Sequence, residues 1–283
     1  MNKMIQSGQT LAQIRQVFRT ISSPRLPMHW LDGWLLSVID KPSIYVMTEP
    51  NDVPTDQQIV RINEGVERMM AGEPLAYLLG KCEFWGREFV VNRHTLIPRP
   101  DTERLVEMVM AFAKPLSAGR LLDLGTGSGC IGITLACELT DWQAVLVDNS
   151  PQALEVAKTN AQQHHANAQC QLSHWYDALT GTFDVIVSNP PYIRSDDEHL
   201  AGLQHEPITA LVACDDGLSD IKQIIGGAKH HLNAGGLLAI EHGYHQGASV
   251  FELFAQAGFT QVQTIKDYGG NDRLTMGILP TGA

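Results

Sequence analysis

Hydrophobic positions in the first eighty residues recur at helical spacing. Leu11, Ile14, Val17 and Phe18 form one stripe and Leu31, Trp34, Leu35, Val38 and Ile39 another, because residues three and four apart share a helix face. A third helix is expected to open at Thr55, where Thr55-Asp56-Gln57-Gln58 has the form of a capping box behind Pro54, and Gly72-Glu73-Pro74 should close it. The pattern then shortens to β-like runs. Lys81 to Trp85 and Glu88 to Val91, separated by Gly86-Arg87, predict a hairpin. After Ile97-Pro98-Arg99-Pro100, Asp101 is placed to N-cap a helix reaching Phe112, with Leu105, Val109 and Phe112 on its buried stripe.

Beyond Gly119 apolar runs and helical stripes alternate. Strands are expected at 120–124, 144–147, 168–172, 183–187 and 237–241, with helices at about 130–139, 151–161 and 218–232 between them. Strands apolar on both faces, each followed by a helix, indicate a mostly parallel sheet covered on both sides. The end departs from this: after a helix through Ala257, runs at 261–265 and 274–278 are joined by Gly269-Gly270-Asn271-Asp272. Such a terminal hairpin places an antiparallel strand in the sheet and brings the strand count to seven. Three segments follow: a helical module at 1–80, a structured hairpin linker at 81–100 and an α/β body at 101–283. The helical module has no charged or metal-like constellation, so its role is expected to be recognition rather than chemistry.

Composition narrows the classes. In 283 residues, 44% of them apolar, no run is long enough to cross a membrane as a helix, and Met1 to Gly8 is followed by no apolar signal region, so a cytoplasmic protein is expected. Five scattered cysteines without a Cys-x-x-Cys pair read as free thiols. His164-His165 and His230-His231 are adjacent residues, which point about 100° apart on a helix and make no shared ligand face; no metal is expected. The formal charge is −11, and the acid is unevenly placed: residues 1–80 carry seven Lys/Arg against eight Asp/Glu, the rest thirteen against twenty-three. A body this acidic repels a phosphate backbone, which disfavours nucleic acid as a partner.

Two motifs carry the chemistry. Leu121-Leu122-Asp123-Leu124 runs straight into Gly125-Thr126-Gly127-Ser128-Gly129, where alternate glycines let the backbone turn tightly and approach a ligand. Taken alone, such a turn also serves dinucleotide folds or packing. Asp148 ends the next strand, where a carboxylate can accept both ribose hydroxyls of an adenosine ligand; helix capping ahead of Asn149-Ser150-Pro151 is the other role open to it, although Ser150 can make that cap alone. The second motif, Asn189-Pro190-Pro191-Tyr192, follows the strand Phe183 to Val187, on the sheet edge where open α/β folds bind substrates. Its prolines fix φ and remove N–H donors, and Asn189, preceding proline, is held extended. The corner therefore offers acceptors. A planar NH2 is a poor nucleophile that gains positive charge as it attacks a sulfonium methyl. Acceptance of its two hydrogens by the Asn189 side-chain oxygen and the Pro190 carbonyl strengthens as that charge develops, with Tyr192 as a flat packing face. An ordinary turn or polyproline-type segment is the alternative for these four residues.

With these motifs, Gly72-Glu73-Pro74-Leu75-Ala76-Tyr77, Ile97-Pro98-Arg99-Pro100-Asp101-Thr102-Glu103, His205-Glu206-Pro207 with Ala210-Leu211, and Asp267-Tyr268-Gly269, the chain resembles the bacterial peptide chain release factor N(5)-glutamine methyltransferases over essentially its whole length. The resemblance implies a class I, Rossmann-like S-adenosylmethionine methyltransferase domain behind a helical N-terminal domain. The implied substrate is the glutamine of the Gly-Gly-Gln motif in class I release factors, a reaction of translation termination. It places cofactor contacts on Gly125 through Gly129, Asp148, Trp175 and Asn189, and contacts to the substrate amide on Asn189 through Tyr192. Family members often have an acidic residue just before the aromatic at Trp175; here it is His174, so an adenine contact would be made differently, and Trp175 also reads as core packing. Three rivals stand beside this expectation: an adenine N6 or guanine N2 methyltransferase on nucleic acid, a glutamine methyltransferase acting on a ribosomal protein, and a nonenzymatic cofactor sensor. The acidic body disfavours the first, Pro100-Asp101-Thr102-Glu103 the second, and the amide-gripping corner the third.

Overall fold

The structure, a computed structural model, describes residues 5–282. It divides into two compact units: one runs to Gly80 and includes Ala201–His205, and the other comprises Lys81–Leu200 and the chain from Glu206 onward.

The first unit is helical: α1 (Leu11–Ile21), α2 (Met28–Ile39), a one-turn α3 (Tyr45–Thr48), α4 (Asp56–Met70) and α5 (Leu75–Leu79). Thr55 caps α4 by the reciprocal box expected of it, and Thr10 with Gln13 does the same for α1. Two orphan donors are thereby satisfied at each helix start. Leu11, Ile14, Phe18, Leu31, Leu35, Ile59 and Ile62 are buried in one core. Helices α2 and α4 pack together where Gly65 faces Trp34, whose indole would lie 2.1 Å from a Cβ at that position, and Trp34 Nε1 donates to the Ile62 carbonyl at 3.2 Å.

The second unit opens with the expected hairpin, β1 (Lys81–Phe84) and β2 (Arg87–Val90), paired antiparallel. Residues 81–100 belong to this unit: Phe84 and Phe89 enter its core, and the Asn160 side chain clamps Val90 by accepting from its N–H at 2.7 Å and donating to its carbonyl at 3.0 Å. Helix α6 (Glu103–Ala113) follows a 3-10 turn, Pro100–Thr102. The expected cap by Asp101 is corrected here. Proline begins the turn at position 100, so Asp101 lies within it, and its carboxylate faces Arg273 Nη2 at 3.3 Å.

The remaining elements are β3 (Gly119–Leu124), α7 (Cys130–Glu138), β4 (Trp142–Asp148), α8 (Pro151–Gln163), β5 (Ala168–Leu172) and β6 (Phe183–Ser188). They continue with a kinked α9 (Cys214–Gly217), α10 (Ser219–His231), β7 (Leu232–Glu241), α11 (Gly247–Gln256), β8 (Thr260–Lys266) and β9 (Asp272–Ile278). The seven strands are ordered β5-β4-β3-β6-β7-β9-β8. β9 runs antiparallel to both neighbours and the other pairs are parallel, as the terminal hairpin predicted. β7 begins five residues before the expected start, with Gly235 at φ +80 supplying a bend before its apolar half.

Side chains alternate between two cores. Leu121, Val185, Val187, Leu237 and Ala239 pack on the face of α6, α7 and the hairpin. Leu122, Leu124, Ile186, Leu238 and Ile240 pack with Ile221, Ile224 and Phe254 of α10 and α11. Burial on both faces explains the nearly continuous apolar strands. The chain steps outward from β3 through β4 to β5, then returns to place β6 on β3's other side. The carboxyl ends of β3 and β6 are therefore the point where strand order reverses, and a crevice opens there. No helix among the described residues is long and apolar enough to cross a membrane.

Candidate active site

A cleft of about 430 Å³ lies at that reversal, within the range of small-molecule sites. One wall is the loop after β3. Gly125, Gly127 and Gly129 all have φ between +56 and +84, the left-handed region in which a side chain is strained. A Cβ on Gly127 would meet nothing within 4 Å, so the backbone there borders open space. Gly129 serves packing instead: Ile133 and Ala157 crowd its Cα, and it does not border the cleft. Thr126 and Ser128 line the cleft but are themselves buried.

Asp123 braces this loop from beneath. Its Oδ2 accepts from the Thr126 hydroxyl at 2.6 Å and from Gly132 N at 3.0 Å. Burial pushes its carboxyl up to about 6, the two hydrogen bonds opposing the rise. Asp148, at the end of β4, accepts from Gly127 N and Ser150 N, each at 2.9 Å, while Ser150 caps α8 through Ala153 N. The cap that was open to Asp148 is thus made by Ser150, and the carboxylate is left bordering the cleft. Burial raises its pKa against the pull of backbone N–H groups.

The opposite wall follows β6. Ser188 donates to the Leu124 carbonyl at 2.7 Å and ties the ends of β6 and β3 together. Asn189 and Pro191 line the cleft, whereas Pro190 is buried and Tyr192 stands behind. The Asn189 amide nitrogen donates to Thr102 Oγ1 at 3.3 Å; its side-chain oxygen and the Pro190 carbonyl accept no hydrogen bond among the described residues. Gln246 donates to the Tyr192 carbonyl at 3.1 Å, and Gly217 lies so close that a Cβ there would sit 2.1 Å from the same oxygen.

Trp175 borders the cleft over Gly125, with Cζ3 3.4 Å from where a Cβ would stand. Its φ of +43 is strained for an aromatic residue, and its indole Nε1 is buried without a partner. His174 is exposed beside it, with Asp177 at 3.6 Å. The residues present suit an adenosine-type cofactor: a glycine cradle, a carboxylate at the end of the second strand and an aromatic face.

Several lining residues escaped the sequence. His94, Thr95, Leu96, Arg99 and Thr102 reach the cleft from segments read as linker and helix start, as do Pro207, Thr209 and Ala210 from the long loop after β6. Glu206, buried under that loop, pairs with Arg99 and accepts from Ile97 N at 3.0 Å. In the sequence, Ile97 to Glu103, His205-Glu206-Pro207 and Ala210-Leu211 stand out only as segments that carry the family resemblance, with no site role. Among the described residues no three His, Cys, Asp or Glu side chains are grouped to hold a metal.

A parallel sheet with one reversed strand, a glycine cradle after its first strand and an acceptor corner after its fourth define a methyltransferase, and residues 102–270 match the Methyltransferase small domain family. Residues 9–80 match the PrmC N-terminal domain. The chain is 42% identical to the release factor glutamine methyltransferase of Aliivibrio fischeri over 86% of its length and 87% of that protein. It is 40% identical to that of Escherichia coli, over 93% and 96%. The chain belongs to the release factor glutamine methyltransferase family. Among solved structures, the hMettl16 catalytic domain in complex with a MAT2A 3′UTR hairpin is similar in fold, with a TM-score of 0.59, 17% identity and coverage of 88% of this chain and 91% of that one.

Proposed function

We propose that this protein transfers the methyl group of S-adenosylmethionine to the side-chain amide nitrogen of the glutamine in the Gly-Gly-Gln motif of class I peptide chain release factors, in the cytoplasm. Support comes from family membership together with one observation: Asn189, its oxygen unengaged, shares a cleft with the glycine cradle and Asp148.

The cofactor supplies an electrophilic methyl on a sulfonium sulfur. Gly125 and Gly127 would let the backbone approach it, Asp148 would accept from its ribose hydroxyls, and Trp175 would offer it a flat face. Asn189 Oδ1 and the Pro190 carbonyl take the two hydrogens of the glutamine NH2 and orient its nitrogen. As the nitrogen bonded to the methyl carbon and the carbon–sulfur bond broke, leaving the cofactor as a neutral thioether, the nitrogen would become cationic, so both hydrogen bonds would strengthen in the transition state rather than the ground state. The excess proton then leaves to solvent, and no general base is required. Residues 1–80 serve recognition of the release factor, and they present exposed apolar side chains, Ile44 and Met47 among them.

The test is incubation with methyl-labelled S-adenosylmethionine and, separately, a class I release factor, a ribosomal protein fraction and DNA, with mass mapping of the labelled atom. Label on the release factor glutamine is the expected result. Label on DNA or a ribosomal protein, with none on the release factor, would replace it.

A further inference from the structure

One side chain outside the cleft ties together the two ends of the loop that follows β6. Gln246, half-buried at the start of α11, accepts from Gly243 N at 2.8 Å through Oε1. Its Nε2 donates to the Tyr192 carbonyl at 3.1 Å and to the Asp216 carbonyl at 3.0 Å. All three partners are backbone groups of fixed polarity, so the orientation of the amide is forced and both Nε2 protons are used. Tyr192 ends the acceptor corner and Asp216 ends the loop; positions 193–215 leave from one carbonyl and return to the other. Just inside these ends the outgoing and returning chain pair, with Ile193 N donating to Leu211 O at 2.9 Å and Ala213 N to Ile193 O at 3.0 Å. The return is strained. Asp215 and Asp216 have φ of +56 and +54, a left-handed run that persists only where its surroundings hold it, and Gly217 follows at +80. A Cβ on Gly217 would stand 2.1 Å from the Tyr192 oxygen and 2.7 Å from Gln246 Nε2, so glycine there admits the amide.

We propose that Gln246 is a positioning residue that closes the base of this loop and thereby holds the Asn189 to Tyr192 corner in its aim. The inference rests on the methyl-transfer reading above. Two prolines make the corner stiff, but a stiff segment anchored at one end still pivots. The near end is anchored where Ser188 donates to the Leu124 carbonyl, and the Gln246 amide anchors the far end. The Tyr192 hydroxyl also reaches Glu241 Oε1 at 3.4 Å, but that bond holds the ring rather than the main chain. With both ends fixed, the Asn189 and Pro190 oxygens keep one direction, and the returning chain, whose Thr209, Ala210 and Val212 line the cleft, is held beside them. Methyl transfer needs the nitrogen in line with the methyl carbon, and a misplacement of about 1 Å can cost about 10²-fold in rate. No other side chain of this length offers one acceptor and two donors in a single plane: glutamate lacks the donors, and methionine has only a weak acceptor.

The full-length chain carrying Gln246→Glu or Gln246→Met tests it. Glutamate keeps the shape and the acceptor for Gly243 N but loses both donations, and methionine loses them without adding charge. Both should lower kcat for release factor by about tenfold or more, with the Kd for S-adenosylmethionine within about threefold of the parent. Backbone hydrogen exchange, followed by mass spectrometry, should quicken in peptides spanning 190–217 and keep the parental rate in β3, β4 and α8. A parental kcat in Gln246→Met, or unchanged exchange over 190–217, would overturn the proposal. So would a loss of cofactor affinity as large as the loss in kcat, or faster exchange throughout the sheet, since either would show that Gln246 sustains the fold at large rather than the corner. If the unaltered chain methylates no release factor, the proposed function falls, and the exchange measurement still judges the clasp.

Discussion

The loops after β3 and β6 face one another across a single cleft, yet they are held in different ways. The glycine loop is braced partly from within, by Asp123 reaching Thr126 and Gly132 three and nine residues away, and partly from β4 and α8, where Asp148 accepts from Gly127 N, Val147 O accepts from Thr126 N and Asn160 donates to the Ser128 carbonyl at 2.8 Å. Its geometry comes from left-handed glycines. The Asn189 to Tyr192 corner is stiff by virtue of two prolines, but stiffness alone does not aim it. Its orientation comes from Thr102, Glu241, Gln246 and Gly217, on four other parts of the chain. Both walls thus draw on distant residues, but the shape of the cradle is written in its own glycines, whereas the acceptor corner takes its aim from elsewhere in the chain.

The contrast can be tested by breaking each side. The largest effect is expected on the acceptor side: Asn189→Ala should cut methyl transfer by about 10² to 10³-fold, as loss of one transition-state hydrogen-bonding group does, with little change in cofactor affinity by calorimetry. Transfer at the parental rate would remove Asn189 from the reaction. Next, Gly217→Ala forces a Cβ onto the Tyr192 carbonyl at φ +80. Chemical denaturation should show a loss of about 2 to 4 kcal/mol, and activity should fall with it; unchanged stability would mean the corner adjusts freely.

The third test sharpens the role of burial. Burial pushes the Glu241 carboxyl up to about 7, with Asp101 also raising it and Thr102, Arg273 and Tyr192 opposing. The folded state therefore holds this proton more tightly than the unfolded chain. Its contribution to stability is complete below the ordinary carboxylate pKa and is lost as pH rises through about 7. Glu241→Gln should remove that part of the pH dependence, a difference of at most about 3 kcal/mol between pH 4.5 and 8. Parallel stability curves for parent and variant would show that Glu241 titrates normally. The smallest effect is expected on the cofactor side: Asp148→Ala should weaken S-adenosylmethionine binding by about 1 to 3 kcal/mol, the scale of charge-assisted hydrogen bonds. An unchanged calorimetric Kd would leave Asp148 with only its backbone contacts.

Local signals were readable because their causes lie within a few residues. The capping box at Thr55, the Gly125 to Gly129 turn and the alternation in Leu121 to Leu124 each follow from neighbours along the chain, so the helices, the strands and the antiparallel end of the sheet could be anticipated. Asp101 misled because proline started its turn one residue early and a guanidinium from the last strand claimed its carboxylate. Thr102, Arg99 and Glu241 left no trace as site residues. Each is an ordinary polar residue in an ordinary element, and only packing gives it a task.

The sequence by itself determined the alternation of strand and helix, the strand ends at which chemistry could sit, and the residue types offered there, since these follow from periodicity, proline and glycine stereochemistry and side-chain donors and acceptors. Only the tertiary structure decided that Gly129 packs against Ile133 rather than bordering the cleft, and that a carboxylate 52 positions beyond Asn189 lies behind its corner. Such contacts depend on strand order and register, which bring together residues far apart along the chain and which the periodicity of any one segment leaves open.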